Sequence, residues 1–230
     1  MNKTLLHSLG VLALPVCCIL LVAPADAGST YSWDDGVSDN SLGGGPPHPA
    51  DLWWAQGFTV MPGAEMIVSI EIAFGTTVDG LDVQLLLYDD PTNDSDPTDA
   101  VLLTSVFTTT MFSGTDMFIS IPITPTIVSG DFFVGALMSN TSTQFPLALD
   151  QTTSAMRLWV AENTNGPGTI DPTDVMGTST FGPALADSIG FAGNALLRAT
   201  GVPIPAPGGL AVIGLALIAG CRRNRRSRSV

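Results

Sequence analysis

The chain has 230 residues and carries eight Lys or Arg against twenty-one Asp or Glu, a formal net charge of −13, with 45% hydrophobic residues. Lys3, Arg222, Arg223, Arg225, Arg226 and Arg228 sit in its ends, so residues 28–203 hold Arg157 and Arg198 against twenty acids, a formal −18; such a body repels nucleic acid, whose phosphates need clustered Lys and Arg. Cys17, Cys18 and Cys221 also lie in the ends, which excludes disulfides, thiolate metal sites and cysteine nucleophiles from the body.

Residues 1–27 begin with Lys3 as the only basic side chain, continue through an apolar stretch from Leu9 to Ala23 and finish on Ala25-Asp26-Ala27. A basic start, an apolar middle and a small-x-small site follow the order of a secretory signal peptide. A signal helix over 1–27 and a mature start at Gly28 are therefore expected.

From 28 to 201 the apolar runs are short, rich in Val, Ile, Phe and Thr, and bounded by the Gly, Pro, Asn and Asp that stop strands. Strands are predicted at Gln56–Val60, Met66–Phe74, Val83–Tyr88, Val101–Thr109, Met117–Ile123, Phe132–Met138, Leu147–Asp150, Arg157–Ala161 and Ala195–Thr200. Val68, Ile70, Ile72 and Phe74 alternate with Ser69 and Glu71, which predicts one buried and one wet face. Val83, Leu85 and Leu87 repeat the pattern. No stretch of the body sustains a 3.6-residue apolar period, so little helix is expected. Short strands separated by turns point to an all-β domain, a two-sheet antiparallel sandwich of jelly-roll type. Residues 162–190, rich in Gly, Pro, Thr and Asp, are predicted to form a long surface loop.

The candidate sites follow in chain order. Trp53 and Trp54 are adjacent, so on an extended segment one ring faces inward and the other outward. An outward ring beside Asp51 and Gln56 is a candidate glycan-stacking platform; the competing expectation is that both rings close the end of the sandwich. Trp33 and Trp159 are expected in the core. In the loop that follows, Asp89, Asp90, Asn93, Asp94, Asp96 and Asp99 are candidate Ca²⁺ ligands, because Ca²⁺ takes six to eight oxygens at about 2.3–2.6 Å. The loop lacks the Gly and the closing Glu of an EF-hand, and Asp, Asn and Pro also serve turn geometry. Arg157 and Arg198, the only cations of an acidic body, are each expected to find a carboxylate. The last strand is expected beside Tyr31–Gly36, with Arg198 paired to Asp34, Asp35 or Asp150. Catalysis finds little footing: His48 sits in Gly43-Gly44-Gly45-Pro46-Pro47-His48-Pro49, a loop with no packing to hold a catalytic tautomer. A carboxylate pair acting on glycans is the enzymatic reading that the composition leaves open. No cofactor other than Ca²⁺ is expected.

The chain closes on Val202-Pro203-Ile204-Pro205-Ala206-Pro207, an apolar run from Leu210 to Gly220, and five arginines. The prolines keep a helix from starting before Gly208. From Leu210 a helix rising ~1.5 Å per residue covers ~17 Å of a hydrocarbon core about 30 Å thick, which is short for a permanent span. Arg222, Arg223, Arg225, Arg226 and Arg228 supply the basic flank that holds an end in the cytoplasm. The order resembles the PEP-CTERM class of bacterial C-terminal sorting signals, with Ile204 where that class usually has Glu between the prolines. The resemblance implies that Val202, Pro203, Ile204, Pro205 and the arginines Arg222, Arg223, Arg225 and Arg226 are read by an exosortase-type membrane transpeptidase. It also implies a membrane tether through residues 208–221 until processing.

Pieces of the body, Tyr31-Ser32-Trp33-Asp34-Asp35-Gly36, Gln56-Gly57-Phe58-Thr59-Val60, Leu87-Tyr88-Asp89-Asp90-Pro91 and Asn194-Ala195-Leu196-Leu197-Arg198-Ala199 among them, resemble an all-β exported module found ahead of such signals. That resemblance implies the sandwich and no particular activity. The expected organisation is a signal peptide over 1–27, a β-sandwich over 28–201 and a sorting signal over 202–230. The expected role is an exported cell-surface or extracellular-matrix structural or adhesive module, contacting calcium or extracellular polysaccharide. The competing expectation is a secreted glycan-active enzyme using a carboxylate pair.

Overall fold

The structure, a computed structural model, describes residues 28–45 and 48–205. The expected signal helix over 1–27, the apolar stretch 208–221 and Arg222, Arg223, Arg225 and Arg226 lie outside the described residues. Among the described residues no helix is long and apolar enough to cross a membrane.

The described residues are mostly β. In chain order the strands are β1 (Ser29–Tyr31), β2 (Asn40–Leu42), β3 (Ala50–Thr59), β4 (Met66–Ile72), β5 (Phe74–Thr76), β6 (Asp82–Asp89), β7 (Val101–Thr109), β8 (Ile119–Ile127), β9 (Asp131–Asn140), β10 (Phe145–Asp150), β11 (Leu158–Asn163), β12 (Phe181–Leu185), β13 (Asn194–Ala195) and β14 (Leu197–Val202), with an α-helical turn, α1 (Val175–Thr178), and 3₁₀ turns at Pro97–Asp99 and Ala186–Ile189. Their pairings are antiparallel. A six-stranded sheet runs β12-β11-β3-β9-β6-β7; a second sheet runs β1-β14-β4-β8; a third joins β13, β10 and β2, with β5 also on β10.

The spine of the six-stranded sheet is the pair β3–β9, in register from Ala50 opposite Asn140 to Thr59 opposite Asp131. Every residue of β3 except Thr59 is buried, because the middle of this sheet is covered on both faces. On one face Leu52, Trp54 and Phe58 of β3 and Val83, Leu85 and Leu87 of β6 join Ile67, Ile70 and Ile72 of β4 and Leu147 and Leu149 of β10 in one core. On the other, Trp53, Ala55, Leu86, Tyr88 and Phe133 form a second core with Ile170 and Val175. Full burial of each large apolar side chain is worth about 1.5–3 kcal/mol, so both faces contribute to holding the sheet.

This two-sided cover corrects several expectations. The predicted strand Gln56–Val60 begins at Ala50 instead, and its Trp pair shows no wet face. Residues 162–190 lie mostly at the surface, but not as one long loop: they hold α1, β12 and a 3₁₀ turn at Ala186–Ile189, and Ile170 and Val175 share the second core with Trp53. The Asp51 carboxylate fastens that cover, accepting from the amides of Gly168 (3.1 Å), Thr169 (2.6 Å) and Ile170 (3.1 Å). In β4 the register shifts between Ile67 and Ser69. Ile67, rather than the expected Val68, therefore joins Ile70 and Ile72 inside. Strand β8 continues through Pro122 and Pro125 to Ile127, which an edge strand tolerates because its outer amides need no partner. Strand β14 extends to Val202, opposite Met66, so the first residue assigned to the sorting signal belongs to the body's sheet; Pro203, Ile204 and Pro205 follow it outside any strand.

Candidate functional site

The acidic loop after β6 folds around Asp90, which is 1% exposed. Its Oδ1 accepts from the Asn93 amide (2.9 Å) and its Oδ2 from the Ser95 amide (2.8 Å), with Asn93 and Ser95 both at positive φ. Asn93 Oδ1 in turn accepts from the Asp131 amide at 2.7 Å, and Ser95 Oγ donates to Asp131 Oδ2 at 2.6 Å. Asp96 caps the amide of Thr98 at 2.9 Å. Of the six candidate calcium ligands, then, Asp90, Asn93, Asp94 and Asp96 all spend oxygen on backbone amides, Asp94 Oδ1 accepting from the Asp96 amide at 2.9 Å, and Asp89 ends β6. Asp90, Asp94 and Asp99 each bring one oxygen into a group whose members lie within 4.8 Å of one another.

Asp131 joins this loop to Arg157. Arg157 Nη1 stands 3.4 Å from Asp131 Oδ2 and donates to Thr59 Oγ1 at 3.0 Å, while Thr59 Oγ1 donates to Asp131 Oδ1 at 2.6 Å. Burial pushes the Asp131 carboxyl up, but the hydroxyls of Ser95 and Thr59 and the Arg157 charge outweigh it, and the group sits below the ordinary carboxylate value.

Strand β14 does run beside β1, with Tyr31 opposite Ala199, and Arg198 reaches Asp34. Arg198 Nε lies 3.1 Å from each Asp34 oxygen, Nη2 donates to Oδ1, and the guanidinium carbon stands 3.9 Å from the centre of the Phe118 ring. The other two candidate partners serve the backbone: Asp150 accepts from the amides of Asp35 (2.9 Å) and Thr152 (2.8 Å), and Asp35 from that of Val37 (2.9 Å). The carboxylates select Asp34 because it alone of the three is left without an amide to hold.

The glycan-stacking expectation at Trp53 and Trp54 is corrected. Each is 1% exposed, one ring in each core, and Trp53 Nε1 donates to Tyr88 Oη at 3.1 Å, which donates to the Pro172 carbonyl at 2.9 Å. Of their expected polar neighbours, Asp51 is taken by residues 168–170 and Gln56 Oε1 accepts from the Ala195 amide at 3.1 Å. Trp33, expected inside, is 45% exposed, with its ring stacked parallel to Phe58 and its Nε1 on the Gly57 carbonyl at 2.9 Å. Trp159 is half-buried against the second core.

One concavity among the described residues is marked by no sequence motif. A cleft of about 420 Å³ is lined by Leu42, Leu52, Leu147, Val160, Phe181 and Phe191, with Gly43, Gly44, Gly45 and Glu162 along one side. The glycines are there for space. A Cβ on Gly43 would lie 2.3 Å from the Gln144 carbonyl oxygen, and one on Gly44 would lie 2.6 Å from Glu162 Oε1 and 3.1 Å from Asn140 Oδ1. Three successive glycines were a visible signal of close backbone approach, but nothing in the chain named Glu162 or Asn140 as what they approach.

No protein-family model, curated protein or solved structure matches the chain.

Proposed function

We propose that the chain is an exported structural or adhesive module of the cell surface or extracellular matrix. On this reading it is cut after Ala27 and sorted by an exosortase-type transpeptidase through Val202, Pro203, Ile204, Pro205 and the arginines Arg222, Arg223, Arg225 and Arg226. The observation that carries it is where the body's two ends meet. Ser29 pairs with Gly201, and a Cβ on Gly28 would lie 3.2 Å from Val202 Cγ1. On this reading the leader junction and the sorting segment leave the body at neighbouring points of one sheet edge, an arrangement that suits a body held by a single stem. A thiol-free, strongly acidic composition supports the same reading, since such a body needs no oxidation to fold and stays soluble by self-repulsion.

We read the architecture as a two-sheet sandwich of jelly-roll type; the core that Trp54 and Phe58 share with Ile70 and Leu149 supports it. Calcium contact belongs to the same reading and is supported by the convergence of Asp90, Asp94 and Asp99.

The test is retention. In a bacterium that holds an exosortase-type transpeptidase, the wild-type chain is expected in the surface fraction. Replacing Arg222, Arg223, Arg225 and Arg226 together by Ala is expected to remove it from that fraction; equal surface recovery of both forms overturns the reading.

A further inference from the structure

We infer that Asn165-Gly166, in the turn after β11, is a site of self-modification: the Asn165 side chain closes on the following amide and becomes isoaspartate, which loosens the segment that Asp51 holds. The step needs water and no other reagent. The Gly166 nitrogen, having given up its proton, attacks Asn165 Cγ; an N–Cγ bond forms, the Cγ–Nδ2 bond breaks, and ammonia leaves with that proton. Water then opens the five-membered imide. Where it cuts the nitrogen from the old backbone carbonyl, the main chain runs on through Cβ and Cγ, one methylene longer, and a carboxylate stands where the carboxamide was.

Such a closure needs a free carboxamide, a free amide beside it and room to turn, and the described asparagines divide on all three. Asn40 Oδ1 accepts from the Ser41 amide (2.8 Å), Asn93 Oδ1 from that of Asp131 (2.7 Å) and Asn194 Oδ1 from that of Ala155 (3.0 Å). Asn140 Nδ2 faces the carbonyls of Thr141 and Gln144, and Asn163 Nδ2 donates to that of Thr178. Asn165 is exposed, and among the described residues no hydrogen bond holds its carboxamide or the Gly166 amide. It is also the one described asparagine that a glycine follows. Without a side chain at 166 the nitrogen can swing onto Cγ; Gly166 sits at φ +119°, and a Cβ there would meet nothing within 4 Å, so the turn is open on that side.

Both ends of the turn are held. Asn163 Oδ1 accepts from the Asn165 amide at 2.8 Å, the Gly166 carbonyl accepts from Thr169 Oγ1 at 2.6 Å, and the amides of Gly168, Thr169 and Ile170 rest on Asp51. A methylene inserted between these fixed points misaligns the bonds beyond it, and hydrogen bonds weaken steeply with misalignment. This inference is independent of the export reading.

Ageing the full chain in mildly alkaline buffer and then cutting it with trypsin tests this, since cleavage after Arg157 and Arg198 releases residues 158–198, which hold Asn163, Asn165 and Asn194. Fragment masses are expected to place the exchange of NH for O at Asn165. Its conversion is expected to run at least about tenfold faster than that of any other described asparagine, the rate equivalent of the one hydrogen bond each of the others must first break. Hydrogen exchange at Gly168, Thr169 and Ile170 is expected to quicken in the aged chain. It is expected to stay slow in aged Asn165→Gln, whose side chain is a methylene too long for the five-membered ring, and in fresh Asn165→Asp, which has the new charge on an unaltered main chain. Conversion at Asn165 no faster than at Asn40, exchange that stays slow in the aged wild type, or exchange that quickens as much in either variant each overturns the inference.

Discussion

A Cβ built on Gly130 would lie 1.6 Å from Asn93 Oδ1, so the side chain that caps the Asp131 amide fills the space any other residue at 130 would need. Gly130 also sits at φ +65°, a conformation that L residues adopt at a cost. Gly130→Ala is expected to lower stability by about 2–4 kcal/mol, combining backbone strain with overpacking. In an Asn93→Gly background the clash is gone and the cost should shrink toward the strain alone. Chemical denaturation of the four proteins measures this; an identical cost in both backgrounds would show that the two residues do not meet.

The Asp51 carboxylate anchors residues 168–170 over Trp53. Asp51→Ala removes the acceptor for three amides at once and should cost about 3 kcal/mol or more, since each hydrogen bond to a charged group is worth roughly 1.5–3 kcal/mol. The loss should be local first. Hydrogen exchange at Gly168, Thr169 and Ile170 is expected to accelerate well before exchange in β3 and β9 does; unchanged protection at those amides would contradict the anchor.

Arg198 and Asp34 form a pair whose side chains are 22% and 0% exposed. Removing the buried member alone, by Asp34→Ala, leaves a guanidinium with only the Phe118 face and partial solvent contact, and is expected to cost about 3 kcal/mol. Arg198→Lys should fail to restore full stability, because an ammonium cannot reproduce the contacts of Nε and Nη2 together. Wild-type stability in Arg198→Lys would refute the forked geometry.

Asp131 sets an acid limit. Its folded carboxyl titrates below its unfolded value, so its contribution is fully present above the unfolded value of about 3.9 and disappears as pH falls through the lower folded one. Asp131→Asn should therefore lower stability at neutral pH and flatten the loss below pH ~4. A mutant with the same acid profile as wild type would place the acid sensitivity elsewhere.

What could be read in the chain followed from whether a strand had one wet face. Ile70 and Ile72 alternate with Ser69 and Glu71, and that half of β4 was legible; β6 was legible only as an apolar run, since Leu86 and Tyr88 face the second core. Strand β3 was only half legible, because Trp53 and Trp54 are both inside and no alternation marks where the strand starts. Residues 162–190 carry the composition of a loop, yet residues 168–170 are fastened to the body because Asp51, more than a hundred residues earlier in the chain, accepts from their three amides. Scarcity of cations gave Arg198 a carboxylate partner, and the expected place of the last strand beside Tyr31–Gly36 narrowed it to Asp34, Asp35 or Asp150. The Gly44–Glu162–Asn140 contact could not be foreseen, since it depends on the pairing of β3 with both β9 and β11, which brings three distant segments to one end of the sheet.

The central claim is that the acidic β body is carried out of the cytoplasm between two removable ends. Intact-mass measurement of the protein recovered from the surface fraction of a transpeptidase-bearing host tests it most directly. The account predicts a chain that begins at Gly28 and has lost Arg222 through Arg228. An unprocessed chain from Met1 to Val230, recovered from the cytosol, would contradict it.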